Sequence, residues 1–298
     1  MKKDRIGIVI VNYNGAAYQN DALRTIFESD YSNVDVIIVD SGSSDNSIQL
    51  ARDLYPDIYY LMQGENVGVA KGNNIGIDYA INELKDEYVL LLNNDVELAS
   101  NTISELLKHA SNECVTVPKI YYYEPSNMIW FAGGEMRWDR GESRHIGNFK
   151  IDDGSYDEVK KIDYAPTCCM LIHRDVIARV GYEDEAVFMY FDDTDMCVRI
   201  IEAGIEIRYV PTAEMWHKVS SSSGGMDSRV YVYYMTRNKL YFMNKHRDKL
   251  KLSARCYTYI KMAAKYILSP VYKKNDRYIL TAMRDYRIGK MGRWEQNC

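Results

Sequence analysis

No stretch of the 298 residues approaches 18 consecutive apolar positions, which argues against a membrane-spanning helix, and Met1-Lys2-Lys3-Asp4-Arg5 leads directly into a short strand rather than the apolar core of a signal peptide. The chain is therefore expected to be neither exported nor membrane-spanning. Its six cysteines include the adjacent pair Cys168-Cys169 but show neither C-x-x-C spacing nor a regular disulfide pattern. Buried reduced thiols in a cytosolic protein are the expectation. Internal repeats and extended low-complexity segments are absent. No G-x-G-x-x-G follows the first apolar run, which argues against a dinucleotide cofactor.

Charge is unevenly distributed. The net charge of -5 conceals a body, residues 1–228, with 20 Lys and Arg against 38 Asp and Glu, and a tail, residues 229–298, with 17 against 4. The acidic body argues against nucleic acid as a partner, since duplex binding wants a broad positive face. Apolar runs at 6–11, 34–39, 58–62 and 88–92 alternate with helix-like stretches near 17–29, 45–54, 69–84 and 100–110. That alternation predicts an α/β fold with a mostly parallel sheet. Ser44 or Asp45, and Ser100, are candidate helix caps. Short strands and turns follow over 114–172, including Trp130 and a polar insert at 139–160 expected to be mobile. Helices are expected at 175–180 and 193–203, and a strand at 205–210 ending at Pro211. The run 220–225 reads as a joint, and helical periodicity dominates beyond it with a break at Pro270.

Several apolar runs end in polar residues at the carboxyl ends of presumed parallel strands, where open α/β sheets bind ligands. They are Val9-Ile10-Val11-Asn12-Tyr13-Asn14-Gly15, Ile37-Ile38-Val39-Asp40-Ser41 and Leu91-Leu92-Asn93-Asn94-Asp95. Gly68, Gly72 and Gly76 punctuate the helix start after Asn66, with Lys71 and Asn74 among them; glycines this dense suggest close backbone approach to a ligand. A second acidic cluster, Asp192-Asp193-Thr194-Asp195, precedes Arg199, which is spaced to pair with Asp195 on a helix.

Together these segments resemble the family 2 inverting glycosyltransferases of the GT-A fold, especially the rhamnosyltransferase-like branch, over roughly residues 5–245. The resemblance implies a catalytic domain at 1–225 with a nucleotide-binding sheet and a mixed acceptor-side half, followed by a basic helical region at 226–298. It implies that Tyr13 and Asp40 hold a pyrimidine base and that Gly68, Lys71, Asn74 and Asn94 line the donor site. Asp95, last in the family's metal motif, would bind Mg2+ or Mn2+, with His217 of Trp216-His217 as second ligand. Asp193 falls at the general-base position, where a helix N-terminus stabilises a carboxylate, and Asp192, Asp195 and Trp130 fall on the acceptor side. Ser220 to Ser223 either close over the diphosphate or form a linker. Arg237 either touches the donor phosphates or ties its helix to the domain.

The implied reaction moves rhamnose or another hexose from a dTDP- or UDP-sugar to a growing surface polysaccharide or lipid-linked saccharide. Two other functions compete with it: a sugar-phosphate nucleotidyltransferase, which should carry a basic Gly-rich loop that Val11 to Gly15 lacks, and a non-catalytic nucleotide-sugar-binding protein, which would have lost Asp193. The basic, tyrosine-rich tail suits an anionic membrane surface, placing the protein at the inner face of the plasma membrane. A solvated helical cap or homo-oligomer interface is the other reading of the tail.

Overall fold

A computed structural model describes residues 4–218, 228–268 and 274–295. The 220–225 joint, the boundary between 225 and 226, the serines proposed to close over the diphosphate and the break at Pro270 lie outside the described residues. In chain order the elements are β1 (Ile6–Asn12), α1 (Gln19–Phe27), β2 (Val34–Asp40), α2 (Ser47–Leu54), β3 (Tyr59–Met62), α3 (Val69–Asp78), β4 (Tyr88–Asn93), β5 (Val96–Leu98) and α4 (Thr102–His109). Then come β6 (Cys114–Tyr122), β7 (Met128–Phe131), β8 (Gly134–Arg137), β9 (Glu142–His145), β10 (Lys150–Ile151), β11 (Lys160–Ile162), β12 (Cys169–His173), α5 (Arg174–Val180), α6 (Asp192–Glu202) and β13 (Glu206–His217). The tail forms α7 (Arg229–Lys245), α8 (Leu252–Leu268) and α9 (Tyr278–Arg287).

Strands β3, β2, β1 and β4 pair in parallel, as the sequence predicts; the apolar runs of β1, β2 and β4 are buried, and β3 at the edge is only partly so. β12 adds antiparallel to β4, with Cys169 opposite Leu92, and begins the mixed half of the sheet. Register aligns Asn12 with Asp40 and Val11 with Asn93, so the polar strand ends lie along one edge. Gly72 and Gly76 let α3 sit directly on β1: a Cβ would lie 2.8 Å from Val11 and 2.2 Å from Val9 side-chain carbons. Two local expectations change. β13 does not stop at Pro211; a register shift between Val210 and Glu214 accommodates the missing N–H, and the strand continues to His217. Asp45 accepts from the Ser47 N–H at 3.1 Å, whereas Ser100 makes no cap and residue 101 precedes α4 without a side-chain bond.

The tail packs against the body. α7 buries Tyr233, Tyr234, Leu240, Phe242 and Met243, and its lysines reach acidic partners: Lys239 to Glu142 at 2.7 Å and Lys245 to Asp184 at 2.6 Å. Lys249, just beyond α7, reaches Glu202 at 2.9 Å. Part of the charge asymmetry is thus spent within the molecule. Among the described residues no helix is long and apolar enough to cross a membrane.

Asp86, fully buried beside Gly7, has neither carboxylate oxygen hydrogen-bonded, and Arg5 Nε stands 3.4 Å away. Burial first, then Asp35, pushes its pKa up to about 7. An Asp of ordinary pKa in the unfolded chain and a raised one in the fold stabilises fully below roughly pH 4, and that contribution is lost as pH rises through the folded value. Melting temperature is therefore expected to fall between pH 5 and 8, and Asp86→Asn to reduce that fall; an unchanged pH dependence in the variant would refute the assignment.

Candidate active site

The strand ends are joined by one carboxamide. Asn12 Nδ2 lies 3.1 Å from Asp40 Oδ1 and 3.0 Å from the hydroxyls of Ser43 and Ser47, while its Oδ1 accepts from Asn94 Nδ2 at 2.9 Å. Asp40 Oδ2 also accepts from the Ser43 N–H at 3.1 Å. Asn12 closes β1 and was not singled out from sequence, although it sits within a quoted motif. Beside this network Tyr13 is 41% exposed, leaving its ring open to stack.

At the end of β4, Asp95 Oδ1 lies 3.1 Å from His217 Nε2, and both residues are buried. The pairing of β5 with β13, Val96 opposite His217, brings them together from 122 residues apart. An octahedral ion with ligands at about 2.1 Å places adjacent ligand atoms about 3.0 Å apart, so this pair fits a small divalent cation. His217 Nδ1 is buried without a hydrogen-bond partner. Among the described residues no group of three or more His, Cys, Asp or Glu could hold an ion. Diphosphate oxygens and water would have to complete the coordination.

A line of side-chain contacts runs from this pair to Asp193. The His217 ring stands edge-on to Trp130 at 4.9 Å, Trp130 edge-on to His145 at 4.4 Å, and His145 stacks on Tyr164 at 5.6 Å. Tyr164 donates its hydroxyl to Asp193 Oδ2 at 2.5 Å. Burial pushes the His145 pKa down to about 4, so the ring is neutral near pH 7, its Nδ1 3.0 Å from the Trp130 carbonyl. Burial and the neighbouring Asp193 charge push the Tyr164 pKa well up, so it stays a donor. Tyr164 and His145 gave no sequence signal, being lone residues joined to the site only by the fold.

Asp193 sits at the start of α6, its Oδ1 accepting from the Thr194 N–H at 2.6 Å and hydroxyl at 3.0 Å. Burial raises its pKa against those bonds and the one from Tyr164. Asp192 is buried and pushed up to about 7 by burial and the Asp193 charge. Glu183, also buried, is held well above the ordinary carboxylate range by burial and Asp192, with Oε1 unpartnered and Oε2 accepting from Asn73 at 3.0 Å.

Several sequence assignments change. Asp195 does not face an acceptor: it accepts from Arg199 at 2.9 Å, Lys245 at 2.8 Å and His246 at 2.8 Å. Burial would raise its pKa, but His246, Lys245 and Arg199 outweigh that and hold it below the ordinary range. Asp192 is buried beside it. Asn74 is occupied by the 183–185 segment, donating to the Glu183 carbonyl at 2.9 Å and Glu185 Oε1 at 3.0 Å. Gly68 is needed for its φ of +83° and because a Cβ would meet the Phe188 carbonyl at 2.5 Å, so the close approach is to protein rather than ligand. Lys71 is exposed. Arg237 is fully buried in the tail, its guanidinium 5.2 and 5.0 Å from the Tyr233 and Tyr234 rings, which supports the tie rather than the phosphate contact.

The chain is similar to a low-salt glycan biosynthesis hexosyltransferase, Agl10, of Haloferax volcanii, 29% identical over 245 residues that span 81% of this chain and 76% of the relative. It is similar to an N-acetylglucosaminyl-diphospho-decaprenol L-rhamnosyltransferase of Mycobacterium tuberculosis, 26% identical over 74% of this chain and 78% of that one. In fold it resembles the mannosyltransferase PcManGT of Pyrobaculum calidifontis, solved with GDP-Man and Mn2+, with a TM-score of 0.56 at 14% identity, covering 96% of this chain and 88% of that one. Residues 7–181, more than half of the chain, match the profile described as glycosyl transferase family 2. A parallel sheet with its polar groups at the strand ends is the frame that match calls for, and the chain belongs to glycosyl transferase family 2, in its rhamnosyltransferase-like branch and with the GT-A fold.

Proposed function

We propose that the protein is an inverting hexosyltransferase that uses Asp193 as general base and a divalent cation held by Asp95 and His217. The observation that carries this reading is the line of contacts from Asp193 through Tyr164, His145 and Trp130 to His217 and Asp95. The acceptor hydroxyl oxygen attacks the anomeric carbon, the bond to the diphosphate breaks with its electron pair leaving on phosphate oxygen, and the hydroxyl proton passes to Asp193. A single displacement of this kind inverts the anomeric centre. Tyr164 keeps one carboxylate oxygen of Asp193 oriented, and burial strengthens the carboxylate as a base. A bound Mg2+ or Mn2+ would supply positive charge against the departing diphosphate.

A dTDP- or UDP-hexose is the donor this reading favours, rhamnose among the sugars. Asp40 is itself buried, each oxygen accepting one protein hydrogen bond, and the remaining lone pairs suit the imide N–H of a pyrimidine stacked on the exposed Tyr13 beside it. A lipid-linked saccharide is the favoured acceptor, in line with the name of the mycobacterial relative. The family match argues against a nucleotidyltransferase, and turnover separates an enzyme from a binding protein. Asp193→Asn is expected to lower kcat by roughly 10²-fold or more with nucleotide affinity unchanged, and excess EDTA to abolish activity until Mg2+ or Mn2+ is restored. Turnover within a few-fold of wild type in the variant would sink the base assignment, and full activity in EDTA the metal assignment.

Attachment to an anionic membrane surface from the cytoplasmic side is the second part of the proposal, supported by α8. Its buried face is narrow, Ala254, Thr258 and Met262, while Leu252, Ile260 and Ile267 are 74, 68 and 72% exposed and Arg255 and Lys265 are also exposed. An apolar stripe edged by cations suits a headgroup layer. Full-length protein should sediment with vesicles containing phosphatidylglycerol, less so as salt rises, and Ile260→Glu with Ile267→Glu should release it. Vesicle binding unaffected by the pair would refute this face, and a change of sedimentation coefficient instead would assign it to contact between copies of the chain.

A further inference from the structure

Two consecutive bulky residues just before the catalytic segment hold left-handed backbone, Tyr190 at φ +65° and Phe191 at φ +70°. L residues rarely adopt this region, and a pair of them persists only where the surroundings over-determine it. The surroundings here come from α7. Asn238 is fully buried and its Nδ2 donates to the Met189 carbonyl at 2.8 Å and the Tyr190 carbonyl at 3.1 Å. Its Oδ1 accepts from Arg237 Nε at 3.0 Å. Arg237 in turn lies over Tyr233 and Tyr234, and Tyr233 donates to Asp285 at 2.8 Å.

The same helix and its end grip the far side of the segment. Lys245 and His246 bind Asp195, whose N–H donates to the Phe191 carbonyl at 3.0 Å. Asp193 lies between these two anchor points, and Phe191 is further wedged against Phe242 at 5.5 Å. We propose that Asn238 is a positioning residue of the transfer reaction: it fixes the left-handed turn at Tyr190-Phe191 and through it the direction in which Asp193 points. This rests on the reading of Asp193 as base. Asn238 bonds to none of the strand-end groups assigned to donor or cation, so its effect belongs to turnover rather than to nucleotide binding. Its chemistry is specific, because a carboxamide nitrogen offers two N–H donors to two carbonyls while the oxygen takes the Arg237 donor.

The test uses the full chain with Asn238→Leu, which removes both donors at similar volume, and Asn238→Gln, which keeps them one methylene too far out. We expect kcat to fall about 10- to 100-fold in Asn238→Leu, the cost of a small misplacement of a catalytic group, and less in Asn238→Gln, with UDP or dTDP affinity within twofold of wild type in both. On an Asp193→Asn background the Leu change should cost almost nothing more, since it acts through that carboxylate. Equal losses on both backgrounds, or a parallel loss of nucleotide binding, would overturn the proposal in favour of a general structural role. Should Asn238→Leu fail to fold, a folded Asn238→Gln enzyme with wild-type kcat would overturn it as well. Near-wild-type turnover in Asp193→Asn alone would instead refute the base assignment, a separate outcome.

Discussion

The carboxylate of Asp195 joins the acidic body to the basic tail. Buried, it accepts from Arg199 on its own helix and from Lys245 and His246 of the tail. Breaking a buried pair by removing one partner costs on the order of 3–5 kcal/mol, because the remaining charges lose their compensation. The interaction acts with the buried face of α7 and its other ion pairs to hold that helix, and α7 in turn meets the turn that opens α6. Sequence alone shows an 18-unit excess of acid over base in residues 1–228 and a 13-unit excess of base after it; in the fold, part of that opposition becomes the joint between them.

From that joint the catalytic region extends along the sheet edge. Parallel pairing of β1 with β2 sets Asn12 level with Asp40, pairing with β4 sets Asn93 one residue short of them, and the β5–β13 pairing brings His217 to Asp95. Tyr164 and His145 come from the loop before β12 and the end of β9, and they connect the two acidic centres. Three carboxyl groups with raised pKa values stand beside this line, Glu183 and Asp192 buried and Asp193 half-buried. Family 2 membership gives glycosyl transfer, and the part proposed for each side chain rests on this geometry.

The central parallel strands β1, β2 and β4 were legible because their buried stretches read as unbroken apolar runs. The strand end before Asp95 and the helix start at Asp193 were legible because such boundaries are marked locally by polar residues after apolar ones. What was not legible depends on partners distant in sequence. Asn74 looked available to a ligand because nothing nearby claims it, yet its partners are Glu183 and Glu185, more than a hundred residues on. Gly68 signalled a close approach correctly, but the approaching group is the Phe188 carbonyl. Asp195 read as part of an acidic cluster, whereas its partners Lys245 and His246 lie in the tail, about fifty residues later. Tyr164 and His145 carry no local pattern at all.

The central claim is a single displacement with one carboxylate base, and the stereochemistry of the product tests it without reference to any substitution. Proton NMR of the transfer product formed from a nucleotide sugar of known anomeric configuration reads the configuration directly from the coupling and shift of the anomeric proton. The account requires the product's anomeric centre to be inverted relative to the donor from the first turnover. Retention would contradict it, since one attack assisted by Asp193 cannot preserve the configuration.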